Sequence, residues 1–329
     1  MSIKKNYLKY TAIALVIIFL IAAAFLLLEV WEKNRNKFPV TSTEDGVITY
    51  DNDDYIKKSN IETFLVIGLD RYKDATSAES HDNSVQADFL MLIVFDNDSK
   101  QSTAIHINRD TMTRVNKLSV GGASVVETTT KQIALAYNNV NDNNDKIRCR
   151  NTKDAVEYLL KDIKIDHYLA LTMDSISAGC NLVGGVEVTV LDDFKGIDDT
   201  LIKGEKVTLT GEQALTYVRT RYGLEDSSNS TRMARQQQFI NALYNKLISC
   251  INADEGFVLK LINTMDDYAV YDSSDQKMIK FGEKFKDYEF LGIREIEGES
   301  KLGEEFIEFY PNDDSLWEIV LDLFYTKKQ

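Results

Sequence analysis

The sequence predicts an α/β fold: a mixed central sheet flanked by helices on both faces, preceded by one N-terminal transmembrane helix. Three observations predict it. Residues 64–69 and 89–95 are continuous apolar runs of strand length bounded by polar residues, as strands buried on both faces should be. Helix-period stretches alternate with these and with later strand-like stretches, which layers helices over a sheet. Residues 10–28 contain no charged side chain and are rich in Leu, Ile, Ala and Phe.

In chain order, residues 1–9 carry Lys4, Lys5 and Lys9, a positive bias that keeps the N-terminus inside and sends the rest of the chain outside. As a helix, residues 10–28 span about 30 Å, the thickness of a bilayer core. Ala22-Ala23-Ala24 offers a signal-peptide cleavage site, but the apolar run continues to Leu28, which suits an uncleaved anchor better. Residues 29–60 are polar and read as a stalk. Residues 61–329 form the extracytoplasmic domain.

Within that domain the first apolar run ends at Asp70-Arg71. The second is followed by Asp96-Asn97-Asp98-Ser99, strong turn chemistry leading to a third strand over residues 103–107. Residues 118–147, rich in Gly, Asn, Thr and Asp, read as a long surface excursion. A helix follows over residues 151–163, with Ala155, Leu159 and Ile163 on one face. Residues 167–173 read as a strand and Asp174 as the cap of a short helix reaching Val183. Gly184-Gly185 stops that helix, and residues 186–190 alternate as a strand. Residues 211–217 have helical composition. The next helix carries an apolar stripe at Ile240, Leu243, Leu247 and Ile251, which reads as core contact. A last helix covers residues 314–325.

Four arginines, Arg219, Arg221, Arg232 and Arg235, fall within 17 residues of a 329-residue chain whose net charge is −14. An acidic protein that gathers guanidinium groups locally builds a receptor for something more acidic still. Phosphate fits best, because the planar fork of Arg matches its oxygens bidentately. If residues 217–221 are extended, Arg219 and Arg221 share a face. On a helix capped by Ser230 or Thr231, Arg232, Arg235 and Gln236 at i, i+3 and i+4 share another. A solvated salt-bridge cluster is the bland alternative. Asp70 and Asp88 stand at the ends of the first two strands. If those strands are antiparallel neighbours, the two carboxylates meet at one end of the sheet, a usable geometry for one Mg²⁺.

Other chemistries are disfavoured. A pI near 4.8 opposes binding of nucleic acid, whose backbone demands Lys and Arg. Three cysteines, Cys149, Cys180 and Cys250, are too few and scattered for a disulfide framework and lack metal-ligand spacing. His81, His106 and His167 are far apart and form neither a ligand set nor a triad.

These motifs, taken in order, resemble the LytR-CpsA-Psr family of membrane-anchored cell-wall phosphotransferases. Leu65-Val66-Ile67-Gly68-Leu69-Asp70 is similar to its first strand and aspartate, and Ala87-Asp88 to its Arg-Ser-Asp-Thr segment. Ile107-Asn108-Arg109-Asp110-Thr111 resembles Ile-Pro-Arg-Asp-Thr, and Leu182-Val183-Gly184-Gly185-Val186 its Gly-Gly-Val turn. Leu209-Thr210-Gly211-Glu212-Gln213-Ala214-Leu215 with the arginines that follow is the most specific part. The resemblance covers about residues 60–329 and includes the anchor.

It implies transfer of a glycan, of teichoic-acid or capsule type, from a polyprenyl pyrophosphate carrier to a peptidoglycan hydroxyl, with polyprenyl phosphate leaving. It implies that Arg109, Arg219, Arg221, Arg232, Arg235 and Gln236 cradle the pyrophosphate, with Arg109, Asp88 and Arg219 in catalytic roles. Asp70 and Asp88 would hold Mg²⁺, with Asp226 a weaker candidate, and the lipid tail would need an apolar tunnel. The sequence departs from the family at Gln86, where Arg is usual, and at Phe89, where Thr is usual. Arg71 directly follows Asp70, where the family more often has its Arg one residue later; the change at Gln86 either lowers activity or is compensated by Arg71 from a different direction. Asn108 in place of Pro looks harmless, restoring a backbone donor. The loss of charge at Gln86 keeps a second function open: a non-catalytic binder of polyprenyl phosphate or wall polymer with a regulatory role. A transcriptional attenuator is a third, opposed by the charge.

Overall fold

The computed structural model describes residues 41–42, 47–72 and 85–328. Among them no helix is long and apolar enough to cross a membrane; the span expected over residues 10–28 lies outside them. The described residues divide into two compact units, one holding those up to 58 together with 325–328 and the other those from 59 to 324.

The first unit is a small antiparallel sheet. It contains β1 (Thr41–Ser42), β2 (Val47–Tyr50), β3 (Asp53–Lys57) and, from the far end of the chain, β16 (Tyr325–Lys327), in the order β1-β2-β3-β16. The β2–β3 hairpin turns on Asp51 and Asn52, both at positive φ, the two residue types besides glycine that tolerate that region. Residues 47–57, expected within a polar stalk, are therefore strands.

The second unit is built on a six-stranded sheet. Strands β4 (Ile61–Leu69), β5 (Ala87–Asp96) and β6 (Gln101–Ile107) form an antiparallel meander. The β5–β6 turn is closed by Asp96, whose carboxylate accepts from the amides of Asp98 and Ser99. Later strands are added on both sides: β9 (His167–Leu171) parallel to β4, β12 (Ala269–Tyr271) antiparallel to β9, and β13 (Glu289–Glu295) parallel to β6. The order β12-β9-β4-β5-β6-β13 makes the sheet mixed, as the interleaving predicted. Along β4, Leu65, Ile67 and Leu69 are buried to 1% exposure or less, with Leu90 and Leu92 of β5 fully buried beside them. Val66 and Gly68 point to the opposite face, as the two-residue period of a strand requires.

The other elements are hairpins β7–β8 (Met112–Leu118, Val125–Gln132), β10–β11 (Val186–Thr189, Lys206–Leu209) and β14–β15 (Gly298–Leu302, Ile307–Pro311). Seven helices are described: α1 (Asp145–Leu159), α2 (Asp174–Leu182), α3 (Gly211–Arg219), α4 (Asn229–Ala253), α5 (Phe257–Met265), α6 (Asp275–Phe285) and α7 (Asp313–Phe324). Several expectations are corrected here. Residues 118–147 are not an excursion: they hold most of the β7–β8 hairpin, a buried turn at Ile133–Ala136 and the start of α1. Helix α1 begins at Asp145 rather than 151, capped by Asn144, whose side chain accepts from the Lys146 amide. Asp174 is the first residue of α2 rather than its cap, a position taken by Met173. The stop at Gly184-Gly185 holds: both have φ above +70°, and their amides bond back to Asn181 and Cys180. The three cysteines are free thiols.

Candidate functional site

The site is assembled at the end of the sheet where β4 stops and β5 starts. Leu90 pairs with Ile107, and continuing that antiparallel register by two residues sets Asp88 across from Arg109. Arg109 lies in a tight turn after β6, in which the Thr111 amide donates to Asn108 O at 3.0 Å and the Asp110 amide to Asn108 Oδ1 at 2.9 Å. Its guanidinium reaches back to β5, with Nη1 donating to Asp88 Oδ1 and Nη2 to Gln86 Oε1. Its Nε is buried, 3.5 Å from Asp110 Oδ1, and has no hydrogen-bond partner.

The second arm comes from α4. Ser228 caps it, two residues earlier than the sequence suggested, with its hydroxyl accepting from the Thr231 amide. Arg232 therefore sits in the first turn, where free amides and the positive helix end already favour an anion. Its Nη1 is 3.6 Å from Asp88 Oδ2, its Nη2 donates to Asn229 Oδ1 at 2.6 Å, and its buried Nε is unpartnered. Asp88 thus lies between two guanidinium groups that each keep an unused donor.

Arg219 and Arg221 arrive differently from expectation. Arg219 is not extended but the last residue of α3, whose start is fixed by a capping box of Thr210 and Gln213. It is half-exposed, 3.7 Å from Asp70 Oδ1, and donates to the Tyr72 hydroxyl at 3.0 Å with its guanidinium over that ring. Arg221 follows the helix and stacks over Tyr222 at 4.6 Å. Its charge reaches Asp110, where it opposes a rise in pKa, and Arg232, where it adds to a fall.

Burial governs the electrostatics. It pushes the Asp88 carboxyl above its ordinary value, against Arg109 and Arg232, which pull it down; the charge of Asp70 adds to the rise. Asp110 is raised in the same way, against Arg109, Arg232 and Arg221. Arg232 is lowered by burial despite Asp88. A second anion with phosphate oxygens would relieve this cationic excess and occupy the unused Nε donors.

The carboxylates are compatible with a hard cation. Asp70 and Asp88 stand at one sheet end, close enough for the charge of one to act on the other. Asp88 Oδ2 has its nearest cation beyond hydrogen-bond length. Among the described residues no group of three or more His, Cys, Asp or Glu is placed to hold a metal. Two carboxylates with phosphate oxygens and water suit Mg²⁺, which keeps several non-protein ligands.

Beside this cluster opens a cavity of about 430 Å³ between the sheet and helices α2, α4 and α5. Asp88, Arg219, Arg232 and Gln236 line it, Thr172, Ser175 and Asp266 add further polar groups, and most of the wall is apolar, with Val66, Leu169, Ile240, Leu243, Leu247 and Leu261 among its residues. Gly68 makes room for Phe89 in the cavity wall: a Cβ there would come within 2.8 Å of Phe89 Cβ. The stripe Ile240, Leu243 and Leu247, expected as core contact, packs on core residues and also forms this wall. An apolar stripe looks the same in sequence whether it faces core or cavity.

Three expected residues are not brought to the cluster. Arg235 is fully buried on another side of α4, its donors spent on Asp192, Tyr217 O and Thr220 O. Arg71 does not compensate for Gln86, because it forms a two-pronged pair with Asp145 at 2.5 and 3.1 Å, joined by the Tyr137 hydroxyl. Burial alone would raise the Asp145 pKa, but bonds from Arg71 and Tyr137 outweigh it and hold the carboxyl below its ordinary value. Asp226 accepts from the Ser228 amide and hydroxyl, organising the loop before α4. The sequence also passed over Tyr72, Gln86 and Asn229 as partners of the arginines. Asn229 is three residues before Arg232 on the helix, a spacing that could have flagged it.

A family model, the LytR_cpsA_psr family, matches residues 31–317. The chain belongs to that family. Among LytR-CpsA-Psr proteins, the polyisoprenyl-teichoic acid–peptidoglycan teichoic acid transferase TagU of Bacillus licheniformis is 26% identical over 253 residues, 74% of this chain and 71% of its own. The biofilm regulatory protein A of Streptococcus mutans is 24% identical over 251 residues, 73% of this chain and 58% of its own. The crystal structure of B. subtilis TagV shares the fold with a TM-score of 0.59 at 23% identity, over 81% of this chain and 96% of that one.

Proposed function

We propose that this protein transfers a glycan from a polyprenyl pyrophosphate carrier to a hydroxyl of peptidoglycan, outside the cell and anchored by residues 10–28. The observation that carries this reading is the apolar cavity with Arg219, Arg232 and Gln236 in its lining. Its volume falls in the range of small-ligand sites, and its wall suits a hydrocarbon chain whose pyrophosphate stops at the guanidinium groups. Curated relatives named as teichoic acid transferases support the same substrate class.

In this reading Arg109, Arg219, Arg221 and Arg232 surround the pyrophosphate, with Gln236 beside them. The acceptor hydroxyl attacks the phosphorus bearing the glycan and gives up its proton to water. The new P–O bond forms as the bond to the bridging oxygen breaks, and polyprenyl phosphate leaves with that oxygen. Phosphoryl transfer needs charge neutralisation and in-line placement more than a covalent nucleophile, and fixed guanidinium groups supply both. Asp88 orients Arg109 and Arg232. Asp70 and Asp88 would hold Mg²⁺, which neutralises pyrophosphate charge when bound. Arg235 has a bracing role here.

Full-length protein in detergent, incubated with a lipid pyrophosphate glycan, a peptidoglycan acceptor and Mg²⁺, is expected to yield the phosphodiester product by mass spectrometry. Arg219→Ala is expected to abolish it. Tight lipid binding with no product would favour the second reading, a regulatory binder. The engagement of both Arg109 terminal nitrogens by Gln86 and Asp88 favours that alternative.

A further inference from the structure

We infer that Asn108 and Asn229 form a positioning clip that holds Arg109 and Arg232 on either side of Asp88. The inference rests on the proposed phosphate site and extends it to residues that touch no phosphate. Asn108 precedes Arg109 in the turn after β6, and Asn229 opens α4. Asn108 Oδ1 accepts twice, from the Asp110 amide at 2.9 Å and from Asn229 Nδ2 at 2.8 Å. Asn229 Oδ1 accepts from Arg232 Nη2 at 2.6 Å. Hydrogen bonds run from Asp88 to Arg109 and, through the turn at Asn108, to Asn229 and Arg232, and the 3.6 Å ion pair of Arg232 with Asp88 closes the circuit.

An amide suits position 229. One end donates to Asn108 and the other accepts from a guanidinium, and a carboxamide carries both functions on one short, flat group. The donor demands of Arg232 fix the orientation of that amide. Two arginine-bearing segments 121 residues apart are thereby joined by side chains at the site itself. Without the link, Arg109 and Arg232 share Asp88 as their common tether. Two like charges facing one carboxylate then separate more readily, and the spacing that a diphosphate needs is lost.

The test uses the full chain and isothermal titration with inorganic pyrophosphate and farnesyl pyrophosphate. Asn229→Asp keeps an acceptor for Arg232 but loses the donor to Asn108. Asn108→Ala loses the acceptor, and Asn108→Asp keeps it. Asn229→Asp and Asn108→Ala are each expected to weaken binding of both probes about tenfold. The double variant should bind no worse than the weaker single, since both cut one link. Asn108→Asp should recover most of the affinity.

Affinity within twofold of the parent in both single variants would overturn the clip. So would effects that multiply in the double variant, or a fall in melting temperature with affinity intact. Arg232→Ala separates the layers. If it abolishes binding while Asn229→Asp does not, the clip alone fails. If Arg232→Ala binds normally, the phosphate site and the clip fail together.

Discussion

Arg232 and Arg235 stand three positions apart on α4, and both residues are buried, at 6% and 0% exposure. Around Arg235 each guanidinium nitrogen meets protein: the Asp192 carboxylate and two carbonyls from the end of α3 and just beyond it. Around Arg232 the inventory stays open, with an orphaned Nε and a carboxylate at 3.6 Å that is shared with Arg109. Burying a charge is costly unless its partners are complete, so the first region is finished as structure and the second awaits a ligand. Counting arginines could not separate the two regions; counting their unmet donors does.

The largest effect should come from the finished region. Arg235→Ala leaves Asp192 buried without its partner and is expected to cost about 3–5 kcal/mol, a large share of a domain's total stability. Chemical denaturation would read this as an earlier midpoint. A variant with normal denaturation and lost pyrophosphate binding would instead place Arg235 in the site and erase the distinction.

Arg232→Ala should do the reverse. Pyrophosphate affinity is expected to fall about 100-fold, since a buried charged hydrogen-bonding group is removed from the anion. The denaturation midpoint should stay near the parent, because a half-partnered buried charge contributes little net stability. A large loss of stability with retained affinity would make Arg232 another brace.

How much of this was legible beforehand follows from what sequence patterns encode. The strands at Leu65 and Leu90 were legible because a short unbroken apolar run between polar residues is the pattern of a strand covered on both faces. That Arg109 and Arg232 would meet at one site was expected from residue type and family resemblance, and both approach Asp88. The separation of Arg235 was not, because i+3 and i+4 lie on opposite sides of the same helical stripe. Gln236 follows Arg232 to the cavity, and Arg235 turns toward Tyr217. Hairpin β7–β8 was missed because β8 is largely exposed and lacks an apolar alternation. The start of α1 was missed because its buried face includes Arg148, Asn151, Thr152 and Glu157, which break the hydrophobic period.

A smaller effect separates the arginines from the apolar wall behind them. Leu243→Trp adds bulk to the cavity and should weaken farnesyl pyrophosphate binding about tenfold, while inorganic pyrophosphate binds as before. The comparison of the two probes by titration is the measurement. Equal loss of both would mean that the cavity and the arginines are not the two halves of one site.

The smallest effect tests how strongly the unfinished charge is felt by its neighbours. His106 is 2% exposed on β6, its ring 4.9 Å from that of Phe89. Burial first, and the charge of Arg232 second, lower its pKa from 6.5 to about 3. A histidine held below its unfolded value contributes stability that is complete above about pH 6.5 and lost as pH falls toward the folded value. The slope is at most about 1.4 kcal/mol per pH unit, and His106→Phe should flatten this part of the acid limb. In Arg232→Ala the ring should titrate higher by NMR yet remain well below an ordinary histidine, because burial is the larger cause. A return to ordinary titration would mean that Arg232 dominates its surroundings, with Asp88 and Asp110 neutralising little of its charge, and the site would be more strongly cationic than the geometry around Asp88 implies.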